Sequence, residues 1–260
     1  MEQWNPDSYL KYEYERTLPS RDLAARIEFP DPERVIDIGC GPGNSTKILR
    51  DRWPNAAIAG LDSSEEMIQK ARATYPAGEW IIADAESWNP EGGYDIVFSN
   101  AALQWMSNQE AVIARLFGYL KNGGALAVQV PMNNDSPIHK ALIAVAESDV
   151  WRQRLLGCES RIIYNDESFY YNILSTLTPR MELWITTYLH FMDSHRDIID
   201  WYASTGLKPY LGRMDTAEEK EKFKRQTLEK CKGQYPVQRD GKVIFPFKRL
   251  FFIAWKCGNH

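Results

Sequence analysis

Cysteine and histidine are scarce in this chain, four of each among 260 residues. Cys40, Cys158, Cys231 and Cys257 share no CxxC or Cys/His spacing. That excludes a zinc site or a disulfide framework, which need ligands or partners in sets, so no metal is expected. Long apolar runs are missing too, which excludes a bilayer-spanning helix. Met1 to Pro6 lacks the basic start and apolar stretch of a signal peptide. The expectation is therefore no membrane partner and a reducing cytoplasm. Excess positive charge is absent: the net charge is -4, with no basic stripe, which speaks against nucleic acid. The run Glu218-Glu219-Lys220-Glu221-Lys222 is mixed in sign and reads as a solvated helix face. No Ser-His-Asp or Cys-His arrangement is evident.

What is present is a hydrophobic fraction of 44%, enough for a core, and a rhythm of short apolar strands alternating with helices. Strands are predicted at Val35–Ile38, Ala57–Leu61, Trp80–Ala83, Asp95–Ser99 and Ala125–Val130. Helices are predicted at Leu23–Ile27, Asn44–Trp53, from Ser63 or Ser64 to Ala73, and at Glu110–Leu120. Gly123-Gly124 reads as the end of that last unit. Such alternation means an α/β fold, a parallel sheet covered on both faces. Further on, helices are predicted at Pro137–Trp151 and Phe169–Leu177, and late strands at Glu182–Phe191 and Arg249–Lys256. The roughly 50 residues between those two strands read as helical. The resulting division is an N-terminal segment 1–30, a core of 31–192 with 246–257, and a helical cap at 193–245.

Ligands of open α/β sheets bind beyond the carboxyl ends of the strands. Gly39-Cys40-Gly41-Pro42-Gly43 follows the first strand there, and its glycines allow a tight turn and close backbone approach. A dinucleotide fingerprint would need a third glycine where Asn44 stands. Asp37, two residues before Gly39, would face a pyrophosphate badly but could receive an ammonium group. Asp62, with Ser63 after it, could accept both hydroxyls of a ribose, in NAD enzymes as elsewhere. As a loop residue it could equally be a helix N-cap. Asp84, beside Ala85, could accept an exocyclic amine, or be an ordinary loop aspartate. After the fourth strand, Asn100 could present its side-chain carbonyl and Trp105 could wall a reacting centre.

In order and spacing, Val35–Gly43, Gly60-Leu61-Asp62, Ala83-Asp84-Ala85 and Asp95–Trp105 resemble the successive motifs of class I S-adenosylmethionine methyltransferases. The resemblance implies a Rossmann-like fold with a seven-stranded, mostly parallel sheet and the helical cap inserted between the last two strands. It implies S-adenosyl-L-methionine as cofactor, held by Arg16, Asp37, Gly39, Gly41, Gly43, Asp62, Ser63, Asp84, Ala85 and Asn100. Outside these motifs, Trp4-Asn5-Pro6, Thr186-Thr187-Tyr188, Ile198–Trp201 and Gln234-Tyr235-Pro236 resemble members of the class that methylate a carboxylate of a small tricarboxylate. That substrate is ionised at neutral pH, so alignment and exclusion of water suffice for catalysis. One remaining carboxylate should be gripped by arginine or aromatic groups. The acceptor candidates are Arg249, Trp105, Tyr171, His195 and Trp201, with Arg16, Arg21, Arg154 and Arg213 behind them; Arg16 could instead bind the methionine carboxylate of the cofactor. Another small acid as acceptor, an NAD-dependent oxidoreductase and a non-enzymatic cofactor-binding scaffold are the alternatives. The sequence leaves the oligomeric state open, a monomer being compatible with it.

Overall fold

The computed structural model describes residues 13–158, 162–203 and 205–258. The first twelve residues of the expected N-terminal segment, Trp4-Asn5-Pro6 among them, lie outside the described residues.

The chain begins with α1 (Glu13–Arg26), which carries Pro19 within it. Then come β1 (Arg34–Ile38), α2 (Asn44–Arg52), β2 (Ala57–Asp62), α3 (Glu65–Thr74), β3 (Glu79–Ile82), β4 (Tyr94–Asn100), α4 (Gln109–Gly118) and β5 (Leu120–Pro131). The later elements are α5 (Pro137–Ala146), α6 (Glu167–Leu177), β6 (Met181–Met192), α7 (His195–Ala203), α8 (Lys208–Leu211), α9 (Ala217–Cys231) and β7 (Val243–Trp255). The strands form one seven-stranded sheet in the order β3-β2-β1-β4-β5-β7-β6. β1 to β5 pair in parallel. β7 runs antiparallel to β5: Met132 N–H bonds to Lys248 O, whereas Gly123 N–H bonds to Lys256 O. The order turns at β1 and β4, the place where an open α/β sheet leaves a crevice for ligand.

Local chemistry explains why these elements start where they do. Ser64 caps α3, accepting from Met67 N–H, and Glu65 and Glu66 fill the first turn where the helix dipole favours them. Asn108, Ser136 and Asp166 cap α4, α5 and α6 in the same way. Thr216 and Glu219 form a capping box on α9. The central strands β1 and β4 are almost wholly buried, as a sheet covered on both faces requires.

The short helix expected at Leu23–Ile27 is the end of a longer one, α1, which starts at Glu13, and three further boundaries differ from the sequence expectation by more than two residues. β5 begins at Leu120, because Gly123-Gly124 does not end the unit: Leu120 pairs with Tyr94 and Ala125 with Ile96, so Lys121–Gly124 bulge out of the ladder. β7 begins at Val243, six residues early. Pro246 interrupts the pattern, but it stands exposed while Val243, Phe245 and Phe247 are buried, a period of two that tolerates proline. α5 stops at Ala146, and Glu147 to Gly157 continue as turns.

By compactness the chain forms two units. Among the described residues, the first comprises 13–131, 165–186 and 250–258; the second lies within 132–164 and 187–249. The expected cap, 193–245, falls inside the second unit, which also takes in 132–164. In that unit α9 packs on α5 and α7, around rings such as Trp151 edge-on to Phe223 and Tyr210 stacked on Phe223.

Candidate active site

The site is built within the first unit at the carboxyl ends of β1 to β4. Beyond β1 the chain turns on Gly39, Gly41 and Gly43, at φ of 70°, 55° and 95°, a region that favours glycine. The turn is tied to β2: Gly39 and Cys40 N–H both donate to Leu61 O, at 2.7 and 3.0 Å. A Cβ on Gly39 would stand 2.2 Å from the Ala102 Cβ, so the β1 and β4 loops touch backbone to side chain there. Gly43, in the left-handed conformation, is the N-cap of α2.

Asp62 at the end of β2 fixes this turn. One carboxylate oxygen accepts from Gly41 N–H at 2.9 Å and the other from Ser64 N–H at 2.8 Å. It is not a helix N-cap; Ser64 is. Each oxygen keeps a further lone pair, so the group can still accept a ligand hydroxyl.

Asp37 is fully buried at the end of β1. Its Oδ2 accepts from the hydroxyls of Ser45 and Thr46, both at 2.6 Å. Its Oδ1 is buried with no hydrogen-bond partner. Burial, opposed by the two hydroxyls and aided by the negative Asp62, pushes its pKa up to about 6. At the end of β4 a second acceptor, Asn100 Oδ1, is also buried without a partner. Two orphaned acceptors of this kind fit a ligand carrying hydrogen-bond donors, an ammonium above all.

The loop after β4 is held under strain. Ala101 adopts φ 55°, uncommon for a residue with a side chain. Gln129 O accepts its N–H at 2.9 Å, and Gln104 Nε2 donates to its carbonyl at 2.6 Å. Asp84 stands exposed after β3, its Oδ1 accepting from Glu86 N–H at 2.9 Å, and Ala85 beside it is buried.

A cavity of about 690 Å³ opens between these loops. It brings together Gly39, Gly41, Asp62, Ser63, Asp84, Ala85 and Trp105 of the expected set. Asp37, Gly43 and Asn100 stand in or beside the same turns but, like Arg16 in α1 and the half-exposed Tyr171 in α6, are not among the lining residues. The acceptor candidates His195, Trp201 and Arg249 belong to the second unit, whereas Arg21 lies in α1 of the first. His195 opens α7 with Nε2 2.6 Å from Tyr235 O. Trp201 is buried against His190, Phe245 and Phe247. Arg249 is buried, its guanidinium 4.5 Å from the centre of the Phe247 ring and 5.9 Å from that of Tyr188. Of the further arginines, Arg154 is engaged by Asp215 and Glu219.

Sequence reasoning missed Ser45 and Thr46 as the donors to Asp37; they read only as helix-start residues. It also missed Met67, Glu86 and Ser107 in the cavity wall. Only the Leu103-Gln104-Trp105 segment signalled Gln104. Among the described residues no cluster of His, Cys, Asp and Glu could hold a metal ion, and no helix is long and apolar enough to cross a membrane.

A parallel sheet whose strand order reverses between β1 and β4, with Asp37 and Asp62 at the ends of β1 and β2, Asp84 just beyond β3 and Asn100 at the end of β4, fits a class I S-adenosylmethionine-dependent methyltransferase. A family profile described as a methyltransferase domain matches residues 35–124. The putative methyltransferase of Bacillus halodurans shares the fold at a TM-score of 0.59, with 15% identity, over 92% of this chain and 99% of that one. A plantazolicin methyltransferase solved with a monoazolic desmethyl analog and SAH does so at a TM-score of 0.55, with 20% identity, over 97% and 88%. The chain is 42% identical to the trans-aconitate 2-methyltransferase of Rhodopseudomonas palustris (strain BisB18) over 257 residues, 98% of this chain and 100% of that protein. It is 40% identical to the enzyme of the same name from Escherichia coli O7:K1, over 98% of each chain. The chain belongs to the trans-aconitate 2-methyltransferase family.

Proposed function

We propose that the chain transfers the methyl group of S-adenosylmethionine to a carboxylate of trans-aconitate, giving the monomethyl ester and S-adenosylhomocysteine. The observation that carries the reading is the full-length similarity to relatives of that name, at 42% identity. The orphaned oxygens of Asp37 and Asn100 at the sheet crevice support it.

In this reading Asp37 and Asn100 hold the ammonium of the cofactor, directly or through water. Asp62 and Ser63 hold the ribose, Asp84 and Ala85 the adenine, and the turn of Gly39, Gly41 and Gly43 admits the cofactor to the backbone. Arg16 is offered for the methionine carboxylate. When bound, S-adenosylmethionine supplies a methyl carbon already activated by a sulfonium, so transfer to an ionised carboxylate needs no acid or base from the chain. The work left to the protein is alignment, exclusion of water and binding of the spare carboxylates. Trp105 walls the cavity. Arg249, with Trp201, Tyr171 and His195 as lesser contributors, is assigned to the acceptor, since a guanidinium pairs with a carboxylate through two parallel hydrogen bonds. The cap at 193–245 and the N-terminal segment 1–30 are offered as the parts that set acceptor choice and cover the cofactor. The reading places the protein in the cytoplasm, with a small-molecule substrate and no nucleic-acid partner.

The test is incubation with methyl-labelled cofactor and a panel of small acids. The expected product is a base-labile methyl ester, formed fastest with trans-aconitate. A faster ester from another acid would replace the acceptor and leave the class intact.

A further inference from the structure

We infer that Glu86 is a positioning residue: its carboxylate latches the loop after β3 to the loop after β4 and so sets the wall of the cofactor cavity. The inference rests on the cofactor reading above and deepens it.

The two loops face each other across the cavity, Ala83 to Glu86 on one side and Ala101 to Ser107 on the other. Glu86 Oε1 accepts from Ser107 N–H at 2.5 Å, and both its oxygens lie 3.1 Å from Ser107 Oγ. Glu86 is itself held from two further directions. Its N–H donates to Asp84 Oδ1 at 2.9 Å, and its carbonyl accepts from the Arg115 guanidinium of α4. Ser107 is anchored as well, because Asn108 beside it caps α4, accepting from Ala111 N–H at 3.1 Å.

The bland alternative is a surface carboxylate worth nothing. Exposed ion pairs contribute little because two long side chains must be ordered at once. Here the partners are a backbone N–H in a turn already fixed by a capped helix and the short Ser107 hydroxyl beside it, so only one long side chain is ordered. The bond is charge-assisted, the stronger kind. Its ends lie two residues from Asp84 and two from Trp105. The latch therefore couples the strand-end carboxylate assigned to adenine with the ring that walls the cavity. Glu86 acts by accepting a hydrogen bond; its charge is not needed as a ligand.

The test is calorimetric titration of S-adenosylhomocysteine into the wild-type chain, Glu86→Ala and Glu86→Gln, with stopped-flow dissociation rates, steady-state kinetics and melting of each free protein. Glu86→Ala is expected to bind about ten-fold more weakly, the factor for losing a charge-assisted hydrogen bond, chiefly through faster dissociation. The KM for the cofactor should rise more than kcat falls. Glu86→Gln keeps an amide oxygen for Ser107 N–H and should stay within about three-fold of wild type. Wild-type binding by Glu86→Ala, with or without a lowered melting temperature, would overturn the latch, as would Glu86→Gln binding as weakly as Glu86→Ala. A wild-type chain that binds no S-adenosylhomocysteine would overturn the cofactor reading itself, a separable failure.

Discussion

At the scale of single residues, Asp37 carries the sharpest consequence. Its carboxylate is fully buried, and only one of its two oxygens is paired. With its pKa raised to about 6, its contribution to stability is fully present below the ordinary carboxylate value near 4. It is lost as pH rises through about 6. A bound ammonium reverses that preference, because it favours the ionised form. Affinity for S-adenosylhomocysteine should therefore weaken as pH falls through about 6, and calorimetry between pH 5 and 8 checks this. Asp37→Asn should remove the pH dependence and weaken binding by about ten-fold or more, the loss of a hydrogen bond to a charged group. The same variant should leave the free protein at pH 8 no less stable, and by up to about 3 kcal/mol more so. Asp62→Ala should also weaken cofactor binding at least ten-fold, because the Gly41 turn is released along with any ribose contact. That Asp37, Asp62 and Asp84 stand at the carboxyl ends of strands was legible in the sequence, because each lies within two residues of the end of a short apolar run. Ser45 and Thr46 were not: their hydroxyls reach Asp37 through the curl of α2, eight and nine residues on in the chain, and no local pattern announces that.

At the scale of elements, Trp80 of β3 packs beneath the glycine turn. A Cβ on Gly43 or Gly60 would stand 2.6 or 2.5 Å from its ring, and its Nε1–H donates to Tyr75 O at 3.1 Å. Cys40, Ile68 and Ala71 complete that cluster. Trp80→Ala should cost about 3–5 kcal/mol, as large aromatic truncations in cores do, measured by urea unfolding. Gly39→Ala should abolish cofactor binding, since φ 70° and the 2.2 Å approach of Ala102 leave no room for a methyl group. The strands of the first half were readable because buried parallel strands are short apolar runs between turn signals. The starts of β5 and β7 were not. Gly123-Gly124 makes a bulge rather than an end, and Pro246 sits on the exposed face of a strand that continues through it.

At the scale of the whole chain, the cofactor cavity belongs to one compact unit and Arg249 to the other. Cofactor and acceptor recognition should therefore separate on mutation. Arg249→Met is expected to raise the KM for the acceptor about ten-fold or more and to leave S-adenosylhomocysteine affinity unchanged. A parallel loss of both would remove Arg249 from the acceptor site. The glycine turn could announce a nucleoside-like ligand from sequence alone, because backbone geometry constrains residue type there. Acceptor choice was not readable that way. The residues proposed for it in the second unit, His195, Trp201 and Arg249, are spread along the chain, and aromatic residues there also serve the core, as the buried Trp201 shows. The central claim is methyl transfer to a carboxylate, and one measurement meets it most directly. The chain is incubated with methyl-labelled S-adenosylmethionine and trans-aconitate, and the product is treated with mild base. Label in the organic acid, released as methanol by base, is the expected result; label that survives base, or none transferred by a chain that binds the cofactor, would contradict it.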